Sequence, residues 1–364
     1  MDRARETGPV PFDLTGTDPT GWIERQGIER EALGLLADPS SNRYCPDPQG
    51  LREVRELLSR ETGGAVGIDD WFLCASTSEA YSILFQLLCD PGDQVVVNRP
   101  SYPLLDDLAR HGGVRLVDVP LRWNGKRWCL DIGRLERAYS TGSIRAFCLI
   151  QPGNPTGWFL SPEERSKVVA LSAKYEVALV SDEVFADSTY VPGFQSLLGE
   201  LDCLCFVLSG LSKGFGLPGF KLGWIGMSGP SQATENAKER LQRVNDSLLS
   251  ASTPVQKAML RLWGMKHGLL EPIRTRLNTN REEWSRCLPD ASTRLPVEAG
   301  WMAILQLPPG REERLCNLAL DQGILVQPGF LFDLPMDGVV VSLLTETSVF
   351  REGLGKLQDI VDSL

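Results

Sequence analysis

Lys213 is the residue of this chain best placed to do covalent chemistry. It lies within Val207-Leu-Ser-Gly-Leu-Ser-Lys-Gly-Phe-Gly-Leu-Pro-Gly-Phe-Lys-Leu-Gly-Trp224. An apolar run from Cys205 to Leu208 enters this stretch, and a second, Leu222 to Met227, leaves it. The runs read as buried strands, and the glycine-rich segment between them as a loop that approaches something closely. Lys213 and Lys221 are the cations of the stretch. Burial disfavours the ammonium form, so a lysine held there gives up its proton more easily. The neutral amine is a nucleophile and forms a Schiff base with an aldehyde. An ordinary surface lysine in a glycine loop is the plain alternative.

Further candidates stand where other apolar runs end. Trp71-Phe-Leu-Cys-Ala75 reads as a short strand, and Ser76-Thr-Ser-Glu-Ala80 opens an apolar helix, Tyr81 to Leu88. The free N–H groups and positive dipole end at such a start suit a phosphate, which makes Thr77 and Ser78 candidates. A helix cap and nothing more would look the same. Tyr102 follows the strand Gln94 to Asn98, where an aromatic side chain can stack on a flat ring. The strand Arg145 to Ile150 runs into Gln151-Pro-Gly-Asn-Pro-Thr-Gly157, a constrained loop that projects one amide, Asn154. A tight turn whose asparagine bonds its own backbone is the alternative. Asp182 follows the strand Val177 to Val180, and a carboxylate there is costly to bury without a partner. Capping a helix would be its simpler use.

The elements that must position these residues are legible. A chain of 364 residues exceeds one ordinary core, so two domains are expected. Strands alternate with helices through residues 70 to 230, with further strands at Val114 to Pro120, Cys203 to Ser209 and Lys221 to Met227. That pattern predicts an α/β fold with a doubly wound, mainly parallel seven-stranded sheet, whose ligands gather at strand C-terminal ends. Ser161-Pro-Glu-Glu164 is a capping box with proline at the first helical position, and starts a helix to about Tyr175. A large α/β domain is expected over 44–268 and a smaller α+β domain over 269–364. The arm 1–43 is expected to be part of the small domain.

Composition narrows the function. The chain is 42% hydrophobic and 23% charged, with a net charge of −10, which argues against a nucleic-acid partner. Nine cysteines without Cys-x-x-Cys spacing read as buried thiols in a reducing compartment. Cys203 and Cys205 would share one strand face and read as core rather than metal ligands. Two histidines leave little material for a histidine metal site or a Ser-His-Asp triad. Met1 to Val10 is charged and lacks the apolar core of a signal peptide, and no apolar run approaches bilayer length. A cytoplasmic protein without a membrane partner is expected.

The stretch Ser209 to Gly223 resembles the pyridoxal-phosphate lysine motif of class I/II aminotransferases, the fold-type I enzymes of the aspartate aminotransferase superfamily. Asn-Pro-x-Gly at 154–157 is similar to a second signature of that family, and the matching elements follow in family order along nearly the whole chain. The resemblance implies the cofactor pyridoxal 5'-phosphate and the transfer of an amino group between an α-amino acid and a 2-keto acid. It implies that Lys213 forms the Schiff base and moves the Cα proton. Asp182 would hold the proton of the pyridinium nitrogen, Asn154 would bond the phenolic O3′, and Tyr102 would stack on the ring. Thr77, Ser78, Ser209 and Lys221 would hold the phosphate. Tyr44, in the segment Tyr44 to Arg52, would reach the phosphate of a neighbouring subunit, which implies a homodimer with shared active sites.

Three positions depart from the family pattern. Lys221 replaces the usual arginine eight residues after the lysine, which keeps the charge and loses the bidentate fork. Phe185 replaces a tyrosine and leaves Asn154 as the donor to O3′. Val340 replaces the arginine that binds the substrate carboxylate. A carboxylate in a closed site needs a cation or several N–H donors. The expected substitutes are Asn154 with backbone N–H groups near Gly16, or Arg43; otherwise the substrate is an amine, or an amino acid bound in another orientation. A lyase, oxidase or cyclase on the same scaffold is the alternative reaction. A non-enzymatic sensor would carry a DNA-binding domain upstream, for which no room is expected before Thr15.

Overall fold

The centre of the fold is a sheet whose strands are apolar on both faces. A computed structural model of the chain describes residues 10–20, 26–249, 251–288, 290 and 293–364. Its main sheet has the spatial order Trp71–Cys74, Gly223–Ser228, Cys205–Gly210, Ala178–Asp182, Ile144–Ile150, Gln94–Arg99, Arg115–Trp123, Trp128–Leu130. The run from Cys205–Gly210 to Arg115–Trp123 is parallel throughout. Gly223–Ser228 is antiparallel to both its neighbours.

Helices on both faces explain why these strands read as continuous apolar runs. Successive residues point to opposite sides. Phe147, Leu149, Leu179 and Val207 pack towards Leu135 and Val168 of the helices Ile132–Tyr139 and Pro162–Tyr175. Cys148, Ile150, Val180 and Phe206 pack towards Leu84 and Leu241 of the helices Thr77–Leu88 and Ser231–Leu248. The capping box forms as expected, with both Ser161–Glu164 bonds present and Pro162 at the helix start.

The sheet has eight strands, not the expected seven. Trp128–Leu130 folds back on Arg115–Trp123 and pairs Trp128 with Trp123. Asn124 holds the turn, its Oδ1 accepting the N–H groups of Lys126 at 3.0 Å and Arg127 at 2.9 Å. Gly125 there has φ +90°, which glycine adopts without strain. A strand of three residues is too short to show a period, although its Asn-Gly turn is a hairpin signal.

Past the sheet, Thr253–Cys287 is one helix of 35 residues. It runs unbroken through residue 268, where the sequence suggests a domain boundary. Beyond it, Gly338–Ser342 lies between Met302–Gln306 and Gln327–Pro328 in an antiparallel sheet. Phe12–Asp13 pairs parallel with Ile324–Leu325, and the Ser342 N–H donates to the Leu14 carbonyl at 2.7 Å. Leu14 is thereby buried with Ile324, Val341 and Phe350. Among the described residues no helix is long and apolar enough to cross a membrane.

Candidate active site

Two glycines bring the lysine loop against its neighbours. A Cβ on Gly210 would lie 2.8 Å from the Leu222 carbonyl oxygen. One on Gly223 would lie 3.1 Å from the Ser76 carbonyl carbon and 3.2 Å from the Thr77 nitrogen. A Cβ does not fit at Gly210 and would be tight at Gly223, so the strand end at 210, the residues at 222–223 and the helix start at 76–77 meet backbone to backbone. The short helix Leu211–Gly214 then carries Lys213 inward.

Lys213 is half-buried, and desolvation pushes its ammonium down to about 8, with the charge of Asp18 opposing part of the shift. Its Nζ donates to the Thr17 carbonyl at 3.5 Å and sits 4.5 Å from the centre of the Trp301 ring. Phe185 lies farther off, 5.8 Å from Nζ, and meets Trp301 edge-on at 5.5 Å. Trp301 is itself fixed by an Nε1–H bond to Ser188 Oγ at 2.9 Å.

Asp182 is the last residue of its strand and 5% exposed. The Tyr81 hydroxyl donates to Oδ2 at 3.1 Å and the Val184 N–H to Oδ1 at 3.2 Å. Neither partner is a cation, and burial pushes the carboxyl up to about 6. The Tyr102 phenol is also pushed up, first by burial and then by the charge of Asp182. Tyr102, Asn154, Thr15 and Thr17 line one cleft of about 660 Å³. The Lys213 bond to Thr17 brings the amine to the same wall.

The loop that carries Asn154 is tied by its backbone. The Gly153 N–H donates to the Trp158 carbonyl at 2.7 Å, and the Gly157 N–H to the Gly153 carbonyl at 2.8 Å. A Cβ on Gly157, at φ +65°, would collide with the Ala299 carbonyl. Asn154 Oδ1 is buried with no hydrogen-bond partner, so its side-chain oxygen does not serve the turn. The helix start is equally well separated from its candidates. Ser76 is the cap, its Oγ accepting the Glu79 N–H at 3.1 Å. Thr77 and Ser78 lie beyond the cap, half-buried. Ser209 is half-buried in the strand beside Gly210, opposite Trp224. Lys221 ends the turn Pro218–Phe220 at φ +56° and is exposed, two residues before Gly223.

Not every candidate is gathered. Tyr44 is 78% exposed and lies outside the cleft, beside Asn245 and Gln256. Arg43 is exposed and does not line the cleft. Val340 is fully buried, paired with Ile304 and Gln327 and packed with Met302 and Phe332. The remaining cleft wall is mostly apolar, with Leu104, Met302, Leu325, Val326 and Phe332, beside the acid Asp107, which pairs with Arg110 at 2.8 Å; no lysine or arginine is among its described lining residues. Gln327 is its amide, with Oε1 buried and unpartnered.

Tyr81, Thr17, Trp301 and Gln327 were not found by sequence reasoning. Tyr81 was read as part of an apolar helix, and its position as the first polar side chain on the buried face is a weak signal. The others had none. Among the described residues no cluster of histidine, cysteine and acidic side chains could hold a metal.

The comparisons agree with this geometry. A family model for class I and II aminotransferases matches residues 18–347. Alanine aminotransferase of Mycobacterium tuberculosis is 28% identical over 344 residues, covering 90% of this chain and 79% of the relative. An S-alkyl-thiohydroximate lyase of Arabidopsis thaliana is 29% identical over 236 residues, covering 62% of this chain and 49% of that protein. The solved structure of an alanine aminotransferase from Pyrococcus furiosus has the same fold, with a TM-score of 0.88 at 22% identity, covering 100% of this chain and 95% of that one. Fold and site together define an α/β enzyme built around a half-buried lysine. The chain belongs to the class I and II aminotransferase family and is a pyridoxal-phosphate-dependent transferase.

The residues present fit that cofactor. A buried carboxylate without a cation partner suits a pyridinium nitrogen, an unpartnered buried amide suits the ring substituents, and a backbone-lined helix start suits the phosphate.

Proposed function

We propose that this enzyme moves an amino group between an α-amino acid and a 2-keto acid, with Lys213 as the residue that carries the cofactor. The observation behind the assignment is a half-buried amine brought to the wall of a cleft that also presents Tyr102 and Asn154. When bound, pyridoxal phosphate supplies an electron-withdrawing ring that makes the substrate Cα–H acidic. The chain's own residues do the rest. Lys213, poised near neutrality, would hold the cofactor through Nζ and would carry the Cα proton on the same atom. Asp182 keeps a proton on the ring nitrogen through a carboxylate oxygen. Asn154 donates its amide to the phenolic oxygen, alone because Phe185 has no hydroxyl. Tyr102 covers the ring face. Thr77, Ser78, Ser209 and Lys221 hold the phosphate, with backbone N–H groups of the helix start between them. Trp301 and Phe185 shield the Lys213 stem from water.

The substrate end of this reading is a donor with an apolar side chain, because the cleft wall is mostly apolar. Its carboxylate is held by neutral groups, Gln327 and Asn154 with backbone N–H groups near Gly16, and not by Val340 or Arg43. The lyase reading is kept as the second one, since a relative with that name matches the chain and the cleft lacks the family's usual cation.

The same proposal includes a large cofactor-binding domain over 44–268 and a small one over 269–364 with the arm 1–43. It also includes a cytoplasmic homodimer. Tyr44 supports the dimer, since an aromatic 78% exposed at a cofactor-family position has no partner within its own chain's cleft. Borohydride reduction with peptide mapping tests the assignment: the label is expected on Lys213, and a label on another lysine, or on none, ends it. Keto-acid yield from a donor screen separates transfer from lyase chemistry, and sedimentation tests the dimer.

A further inference from the structure

The helix Thr77–Leu88 buries Ala80, Tyr81, Ile83, Leu84, Phe85 and Leu87. Among these six side chains only Tyr81 carries a polar atom. Its ring is 1% exposed and packs in the cluster that holds Cys148, Val180 and Leu208. A hydroxyl in such surroundings must find an acceptor. It finds the Asp182 carboxylate, 101 positions away in sequence, at 3.1 Å. Each carboxylate oxygen has two acceptor positions. With Tyr81 on Oδ2 and the Val184 N–H on Oδ1, each oxygen keeps one free.

The bond is asymmetric in consequence. Burial holds the Tyr81 phenol far above its ordinary range, so it is a donor at every pH at which the fold survives. A donor on a carboxylate stabilises the charged form and draws off part of its charge, and does so more strongly where water is excluded. Tyr81 also stands four residues after Thr77, one helical turn along the same face. A single helix therefore reaches both the phosphate end of the site and the acid at its other end.

We propose that Tyr81 is a positioning residue for the reaction, whose hydroxyl fixes the plane of the Asp182 carboxylate and limits how much negative charge it presents to the cofactor's ring nitrogen. This rests on the cofactor reading above and adds a tuning group to it. Tyr81 touches neither cofactor nor substrate; it acts through Asp182.

The test is Tyr81→Phe in the holoenzyme, a change that keeps the ring and its packing. The visible absorbance of the bound cofactor is followed against pH, together with kcat and KM. With the donor gone, Asp182 presents its full charge, and the midpoint of the absorbance change is expected to rise by about one pH unit. The carboxylate also loses the bond that fixes its plane against the ring nitrogen, so kcat is expected to fall about tenfold, with KM changed less than about twofold. The same Tyr81→Phe change made in an Asp182→Ala background is expected to leave the midpoint where it was. A midpoint and kcat equal to wild type overturn the proposal, and so does an equal shift in the Asp182→Ala background, which would mark Tyr81 as packing only. A wild-type protein with no visible band overturns the cofactor reading first and is told apart from both.

Discussion

Around the lysine loop three backbones touch; around Val340 an apolar strand is packed behind the cleft residues Met302 and Phe332. The lysine end is fixed by Gly210 and Gly223, where a single methyl group would push the segments apart, and it gathers an amine and a carboxylate out of water. The Val340 end has no cation among its described lining residues, and Met302, Phe332 and Val340 fill it. Buried charge is expensive, so the first end is kept only by a ligand that repays it. The second end recognises by shape and a few neutral amides, a weaker and more permissive kind of contact. An enzyme built this way holds one cofactor firmly and leaves its substrate range open to change.

The contrast can be broken at either end. Asp182→Ala should lower turnover by roughly 10³-fold while the cofactor stays bound, because the carboxylate acts on the ring and not on the phosphate; near-native turnover would mean another acid faces the ring. At the far end, Val340→Arg puts an unpaired charge among Ile304, Met302 and Phe332 and should cost roughly 3–5 kcal/mol, read from the urea midpoint. A stable variant that gained activity on amino acids would show that this wall opens onto the substrate after all.

The cofactor-free protein should show the strain of the lysine end as a pH effect. The Asp182 carboxyl sits at about 6 when folded, against an ordinary 3.8. Below about pH 4 it is protonated in both states and contributes nothing. Between pH 4 and 6 the unfolded chain releases its proton first, so stability falls as pH rises. Above that window the loss levels off at about 3 kcal/mol. Asp182→Asn should therefore stabilise the cofactor-free protein at pH 8 and only about a third as much at pH 4.5; equal effects at both would mean the carboxylate is not desolvated. The smallest effect is expected at Gln327→Leu, which should raise KM for amino acids about fivefold and leave the matching amines unaffected. An equal loss for both would remove Gln327 from carboxylate recognition.

What the sequence revealed follows the same division. The lysine loop, Asn154 and Asp182 are positions where backbone geometry dictates the residue, so glycine, proline and a lone acid at a strand end are visible in one dimension. The seven predicted strands are present for a similar reason, since each is a largely apolar run of four or more residues. The hairpin strand Trp128–Leu130 escaped because three residues hold no pattern. Tyr81 escaped because a tyrosine in an apolar helix looks like core until Asp182 is placed beside it. Lys221 and Tyr44 were named by family likeness; one is exposed at a turn and the other lies away from the cleft. The helix Thr253–Cys287 runs on past residue 268, the boundary expected from the sequence, so no break in the backbone marks that position.

The pairing of Phe12–Asp13 with Ile324–Leu325 bears on the order in which the molecule is made. Thr15 accepts a bond from Gln327, 312 positions later, and Thr17 accepts one from Lys213. The cleft is thus walled by an earlier and a much later segment of the chain. Until Ile324–Leu325 and the strand after Gln327 have emerged, the backbone of residues 12–14 lacks its strand partners. The main sheet, whose strands lie between residues 71 and 228, can assemble before that. Maturation is then expected in two stages: a cotranslational scaffold, and a post-translational closure that traps the cofactor, paced by the slow search for a contact of long sequence separation.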